Sequence, residues 1–313
     1  MSKRRGRRQA RGRPVNGILV LDKPAGVTSN GALQEVKHLF KAAKAGHTGS
    51  LDPLATGVLP LCFGDATRFS QFLLEADKHY VASIRLGVMT NTGDADGEVI
   101  ETKPVENYSS EHIESVLAQF RGEIEQLPSM YSALKVGGEP LYKLARQGIV
   151  IEREKRKVHI HELVLLEQKA DELSLEVRCS KGTYVRSLAE DIGQVLGCGA
   201  HVVALQRVAS GPFHLREAWS VADLRERFES DGLEALDACL KPCDTAVADW
   251  PAVALSEITA SYLKQGQPVL VPKAPVDGWV RIFIDQDGQR QFAGVGEILD
   301  DGRVAPRRMV AGY

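Results

Sequence analysis

At 313 residues, 43% of them hydrophobic, the chain exceeds what one core usually organises, so two domains are expected. No apolar run approaches bilayer-spanning length, and Val15 to Leu21, interrupted by Asn16 and Gly17, is too short for an export signal, which excludes a membrane role. The net charge of −2 hides an asymmetry, because residues 1–14 hold seven basic residues and no acid while the rest of the chain holds 32 basic and 41 acidic residues. That opening stretch, with Lys3, Arg4, Arg5, Arg7, Arg8, Arg11 and Arg13, cannot bury apolar surface and reads as a disordered tail. Solvation alone accounts for such a tail as well as phosphate contact does.

Further along, Gly17 to Leu21 reads as a short buried strand, and Thr28 or Ser29 caps a helix with Leu33, Val36 and Phe40 on one face. Tyr80, Ala82, Ile84 and Leu86 alternate with other residues, as do Leu173, Leu175, Val177 and Cys179, and both runs predict half-buried strands. Between them Ser110 to Phe120 has helical spacing and Gly122 stops it. The second strand leads into a helix over Tyr184 to Leu196, closed by Gly197. Strands and helices mixed without a regular repeat indicate an α+β fold. The stretch from Arg121 to His161 is rich in Lys and Arg and broken by Gly137, Gly138 and Gly148, a pattern that a solvated charged loop also satisfies. After about Trp250, short strands at Val269 to Val271, Trp279 to Ile284, Gln291 to Val295 and Val304 to Met309 predict a compact all-β tail, in which Arg303, Arg307 and Arg308 are placed to meet phosphate.

The segment GHTGSLDPLATG, Gly46 to Gly57, concentrates one carboxylate, one imidazole and three hydroxyls between apolar runs. Pro53 disfavours a helical conformation at Asp52, so the carboxylate projects from an extended or turn backbone. Taken alone, Leu-Asp-Pro equally fits an Asx turn. Five cysteines, an odd number without a C-x-x-C pair, point to a reducing cytoplasm and no zinc site. Asp94, Asp96 and Glu98 lack the spacing of a calcium loop and read as a hairpin turn.

The same segment, together with GILVLDKPAGVTSN, DKHYVASIRLG, TGDADGEV, PSMYSALKVGGEPLYKLAR, CSKGTYVRSLAEDIG and HVVALQRVASGPF in that order, resembles the TruB family of bacterial tRNA pseudouridine-55 synthases. The resemblance implies a catalytic domain over residues 15–248 with a central, mixed but largely antiparallel sheet and an active-site cleft. It also implies a thumb-like RNA-gripping segment at about 121–161 and a PUA-type RNA-binding domain over 249–313. Its substrate would be uridine 55 in the T arm of tRNA, flipped out of its stack. The N1–C1′ bond breaks, the uracil turns and rejoins through C5, and the C5 hydrogen exchanges with water, so no cofactor or metal is called for.

By the same resemblance Asp52 is the catalytic carboxylate, Arg186 its ion-pair partner, and Tyr80 the ring that stacks on the target base or assists proton removal at C5. Leu205 closes the pocket, Tyr184 lies near the arginine, and His47 fills the space that the flipped nucleotide leaves. Lys23 and Asp94 carry over as further substrate-binding positions. On residue type alone, Arg186 fits an ordinary helix-start salt bridge, Tyr80, Tyr184 and Leu205 fit plain packing, and His47 fits a polar loop. The partner implied is tRNA, with no membrane or protein partner and a monomeric state. Two rivals stand beside this reading: a guide-dependent synthase of the box H/ACA type, against which the thumb argues, and a tRNA-folding factor with incidental catalysis. As an internal rearrangement on a chain without a phosphate-binding loop or ligand cluster, turnover is expected to persist in excess chelator when the RNA is shown to remain folded. Complete loss of pseudouridine formation there would contradict the cofactor-free reading.

Overall fold

Period-two apolar strands dominate the computed structural model, which describes residues 12–132, 134–286 and 288–311. In chain order come β1 (Gly17–Lys23), α1 (Ser29–Leu39), β2 (Ala45–His47), β3 (Thr56–Phe63), α2 (Ser70–Glu75) and β4 (Lys78–Leu86). The hairpin of β5 (Val88–Thr90) and β6 (Val99–Thr102) precedes α3 (Ser110–Ala118) and β7 (Gly122–Gln126). A second small hairpin, β8 (Lys135–Val136) with β9 (Glu139–Pro140), leads through α4 (Leu141–Arg146) to the long β10 (Arg156–Lys169). There follow β11 (Glu172–Cys179), α5 (Val185–Val195), β12 (Ala200–Ser210), β13 (Phe213–His214) and α6 (Val221–Asp237). The central sheet runs β1-β3-β12-β4-β11-β10-β7, with β2 on β3 and β13 on β12. Its pairs are antiparallel except β3 with β12.

Alternation sorts the two faces of β1. Leu19 and Leu21 join a core that takes Leu33, Val36 and Phe40 of α1, Ile113 and Leu117 of α3, and Leu188 and Ile192 of α5. Ile18 and Val20 point the other way, toward Phe69, Leu73 and Phe213. This second cluster also receives Val295, Trp250, Trp279 and Phe292 from the C-terminal part, so apolar contact seats that part against the back of the sheet.

The C-terminal part is a five-stranded sheet in the order β14-β16-β17-β18-β15, built from β14 (Ala252–Leu255), β15 (Val269–Leu270), β16 (Trp279–Gln286), β17 (Gln289–Ile298) and β18 (Arg303–Met309). It also holds α7 (Glu257–Lys264), so the expectation of an all-strand tail is corrected. Eight residues with only Ala260 and Leu263 buried are too short for a helical period to stand out, and the cap, Ser256 accepting from the Thr259 amide, is the signal available in the sequence. Arg303 pairs with Asp301 and Arg307 with Glu297, so two of the three arginines expected to meet phosphate already hold a carboxylate.

Two further expectations are corrected. The segment 121–161 is not one excursion, because Gly122 to Gln126 pairs with Arg156 to Ile160 inside the central sheet, leaving 127–155 as the part that departs from it. Residues 1–11 of the expected basic tail lie outside the described residues, but Arg13 is docked: its Nε donates to the Phe40 carbonyl at 2.8 Å and its guanidinium pairs with Asp237 at 2.5 Å. Among the described residues, no helix is long and apolar enough to cross a membrane.

The parallel crossing of β3 and β12 fixes the far end of the Gly46–Gly57 segment, and it demands a glycine. Gly57 has φ +98°, and a Cβ there would lie 2.2 Å from the Arg207 carbonyl oxygen. Gly57→Ala is expected to cost more than about 1 kcal/mol of stability, lowering the melting temperature by at least about 2 °C. A thermal melt indistinguishable from the parent would contradict this packing.

Candidate active site

The loop from β2 to β3 is held by its backbone at three alternate residues. Arg207 on β12 donates from Nη2 to the Gly49 carbonyl at 3.0 Å. Ser29 on α1 exchanges two hydrogen bonds with Leu51, its Oγ accepting from the amide at 2.7 Å and donating to the carbonyl at 3.0 Å. The Pro53 carbonyl accepts from the Gly26 amide at 2.8 Å and from Lys23 Nζ at 3.4 Å. Asp52 sits between these last two anchors, and its own carbonyl accepts from Ala55 to close the turn. The loop is ordered although it has no regular structure of its own, because neighbouring elements satisfy its polar groups.

Arg186 meets this carboxylate from the first turn of α5. Its Nε lies 3.0 Å from Asp52 Oδ2 and its Nη2 3.2 Å from Oδ1, a two-pronged pairing suited to the planar guanidinium. The remaining donors are also used: Nη2 reaches the Tyr131 carbonyl at 3.1 Å, and Nη1 the Thr92 carbonyl at 3.0 Å and Asp94 Oδ2 at 3.4 Å. Helix α5 is aimed by Gln126 at the end of β7, whose amide side chain accepts from the Tyr184 amide at 3.0 Å and donates to the Tyr184 carbonyl at 3.2 Å.

Above Asp52 opens a pocket of about 420 Å³. Six of the eight predicted positions line it: Asp52, Arg186, Tyr80, His47, Tyr184 and Leu205. Tyr80 faces Arg207 across β4 and β12, and Leu205 lies two residues before Arg207 on the same face. Lys23 and Asp94 do not line the pocket but lie directly behind it. Lys23 is fully buried behind the loop and donates to the Pro24, Val27 and Pro53 carbonyls. Asp94 is buried in the hairpin turn between β5 and β6, where it accepts from Thr92 Oγ1 at 2.6 Å and backs Arg186.

Three lining residues went unread in the sequence. Arg207 and Lys78 are buried cations at inward strand positions, two residues from Leu205 and Tyr80 respectively, and a charge at an inward position of an alternating strand was the signal available. Lys78 Nζ donates to the Leu73 and Leu74 carbonyls and to that of Ala76, tying down the end of α2. Ser132 is 3% exposed, lines the pocket, and its Oγ has no hydrogen-bond partner among the described residues. It comes from the irregular stretch after β7, where no periodicity marks inward positions.

Burial and charge act against each other here. Burial pushes the Asp52 carboxyl above the usual range, Arg186 is the strongest opposing influence, and Asp94 adds to the upward push. Burial, reinforced by Arg207, holds His47 below the ordinary imidazole value, favouring a neutral ring. Burial likewise brings Lys23 and Lys78 down to about 8 each. Among the described residues lining the pocket, Asp52 is the one carboxylate, facing Lys78, Arg186 and Arg207. No group of three or more potential metal ligands occurs among the described residues.

Residues 37–185 match the family model of the TruB family pseudouridylate synthase N-terminal domain, residues 186–248 the tRNA pseudouridylate synthase B C-terminal domain, and residues 251–310 the pseudouridine synthase II TruB C-terminal domain. The tRNA pseudouridine synthase B of Ectopseudomonas mendocina is 56% identical over 298 residues, covering 95% of this chain and 96% of that protein. That of Coxiella burnetii is 54% identical over 298 residues, with the same coverage. Among solved structures, a Cbf5-Nop10-Gar1 complex superposes with a TM-score of 0.73 at 28% identity, covering 94% of this chain and 84% of the other. An H/ACA RNP bound to a substrate RNA containing 2'-deoxyuridine gives 0.72 at 24% identity over 99% and 93% of the two chains, a likeness of fold.

The balance at Asp52 is testable by titration. Arg186→Met removes the strongest force holding the carboxylate charged, so the Asp52 midpoint, followed by carboxyl carbon NMR, is expected to move to higher pH than in the parent. An unchanged or lower midpoint in a folded variant would show that the pairing does not hold the charge.

Proposed function

The chain belongs to the TruB family and is a tRNA pseudouridine synthase, and we propose that it acts on uridine 55 of the T arm with Asp52 as its catalytic carboxylate. One observation carries the site assignment: a single acid, paired by both oxygens to a buried arginine, in a pocket otherwise lined by cations and neutral groups. Cleaving N1–C1′ develops positive character at the sugar carbon, and a carboxylate beside that centre is the group such chemistry uses. The bonding electrons leave with the uracil, which turns and forms the C5–C1′ bond; the C5 proton then passes to solvent and N1 takes up a proton in its place.

Each neighbouring residue has a part in this reading. Arg186 keeps Asp52 ionised and aimed. Tyr80 offers its ring to the base and its hydroxyl, beside Arg207, to proton removal at C5. Leu205 and Tyr184 close the pocket around the uracil, and the neutral His47 occupies the stack that the nucleotide leaves. Lys23 and Asp94 act behind the pocket as positioning residues, on the loop and on Arg186. Residues 127–155, with Lys135, Lys143, Arg146 and Arg153, serve as the thumb that grips the arm, which favours an enzyme that recognises its own substrate over one that depends on a guide RNA. The sheet from β14 to β18 serves as a PUA-type RNA-binding domain. On this reading the enzyme works in the cytoplasm as a monomer.

Asp52→Asn keeps the shape and removes the charge, so pseudouridine formation is expected to be lost while tRNA affinity stays largely intact. Tritium release from C5-labelled uridine in a defined tRNA transcript measures it, and turnover within about tenfold of the parent, a barrier change under about 1.4 kcal/mol, would sink the assignment. Tyr80→Phe is expected to bind tRNA normally, form little pseudouridine, and show a larger isotope effect at C5 in its residual turnover. Near-normal product from the Phe variant, with only Tyr80→Leu impaired, would reduce Tyr80 to a stacking surface.

A further inference from the structure

A second hollow of about 420 Å³, as large as the catalytic pocket, lies where α1 ends and the described chain begins. It is lined by Gly12, Gln34, Lys37, His38, Lys41 and Ala42, with no carboxylate among the described residues that form it. Among the described residues no carboxylate pairs with Lys37 or with Lys41, although Lys41 also lies 5.9 Å over the Phe228 ring. Cations in the last turn of a helix also suit its dipole. That role covers Lys37 and His38, but Lys41 lies past the helix, at φ 49°, a conformation that a non-glycine residue adopts at a cost.

The chain's entry is fixed to this hollow. Arg13 donates its amide to the Lys41 carbonyl at 2.8 Å and accepts from the Ala43 amide at 2.9 Å, while its side chain is clamped to Asp237 and Phe40. Gly12 forms part of the wall, and a Cβ on it would lie 2.7 Å from the Ala43 nitrogen. Six further cations, Lys3, Arg4, Arg5, Arg7, Arg8 and Arg11, precede Arg13 in sequence. On the other side, Lys44 leads directly into β2 and to His47 three residues later, about 10 Å along an extended strand. Lys37, Lys41 and Lys44 thus place positive charge at the hollow and on the approach to the strand that carries His47 to the catalytic pocket.

We propose that this hollow is an auxiliary phosphate-binding site, which holds the RNA backbone outside the catalytic pocket. The proposal rests on the chain's acting on tRNA. Its chemistry is the phosphodiester: solvent-accessible lysines around a roomy hollow suit point-charge contact with a flexible backbone, not a shaped small molecule.

The test is the salt dependence of binding to an unmodified tRNA transcript, compared between the full chain and a Lys37→Gln/Lys41→Asn variant, in which Asn suits the positive φ at 41. Each lost phosphate contact lowers the slope of log affinity against log salt by about 0.7–0.9, so the double variant is expected to lose about 1.4–1.8 and to show a raised KM. Deleting residues 1–11 is expected to lower the slope as well. The parent's slope in a double variant that melts like the parent overturns the proposal. Should that variant melt early, Lys44→Gln carries the test, with an expected loss of about 0.7–0.9, and an unchanged slope there overturns the proposal equally. Pseudouridine formation by the full chain is scored on the same transcript. Its absence overturns the assigned reaction and leaves the slopes to judge the hollow.

Discussion

Arg186 is the residue on which the site depends. A guanidinium that is 5% exposed must find partners for its donors or impose a large desolvation cost, and it finds them on three separate segments, at Asp52, at Thr92 and Asp94, and at Tyr131. One side chain therefore locks the carboxylate loop, the β5–β6 turn and the root of the 127–155 excursion to the start of α5. Because the fork is planar and rigid, its bond directions set where the Asp52 oxygens lie. Lysine at this position would retain the charge and lose that geometry.

The opposing effects at Asp52 follow from the same arrangement. A carboxylate drawn out of water is pushed toward its neutral form, and Asp94 pushes it further. Arg186 works in the other direction while being shared with Asp94, so the acid that steadies the arginine also weakens its hold on Asp52. Lys23, buried close behind the loop, opposes the upward push from another side. The titration of Asp52 is therefore set by burial and Asp94 on one side and by Arg186, then Lys23, on the other.

Periodicity revealed what repeats. β4 and β11 were legible from alternating apolar residues, and α1, α3 and α5 from helical spacing, because each buries one continuous face. Asp52, Tyr80, Arg186, His47, Tyr184 and Leu205 were legible through motif resemblance, and the fold brings them to one pocket. The elements and contacts that went unread depend on three-dimensional neighbours. The role of Lys23 as a buried strut requires knowing that three carbonyls from two loops converge on it. The service of Asp94 to Arg186 requires the β5–β6 turn to pack on α5. Arg207 and Lys78 sit within runs that were read as plain strands, and α7 is too short to show its period.

Reaction and capture make different demands on charge, and the chain separates them. Inside the pocket, charges are buried and fixed by hydrogen bonds, so their effects are short-ranged, little screened by salt, and sensitive to displacements of an ångström. At the end of α1, Lys37 and Lys41 are open to solvent, where screening limits each charge to about 8–10 Å at ordinary ionic strength but several act together on a polyanion. The net charge of −2 belongs to neither region. An acidic surplus over the rest of the chain disfavours indiscriminate adhesion to nucleic acid, while local cations retain attraction along the path to the pocket. Affinity can then change with the basic residues outside the pocket while the geometry at Asp52 is held by Arg186 and by the backbone anchors at Gly49, Leu51 and Pro53.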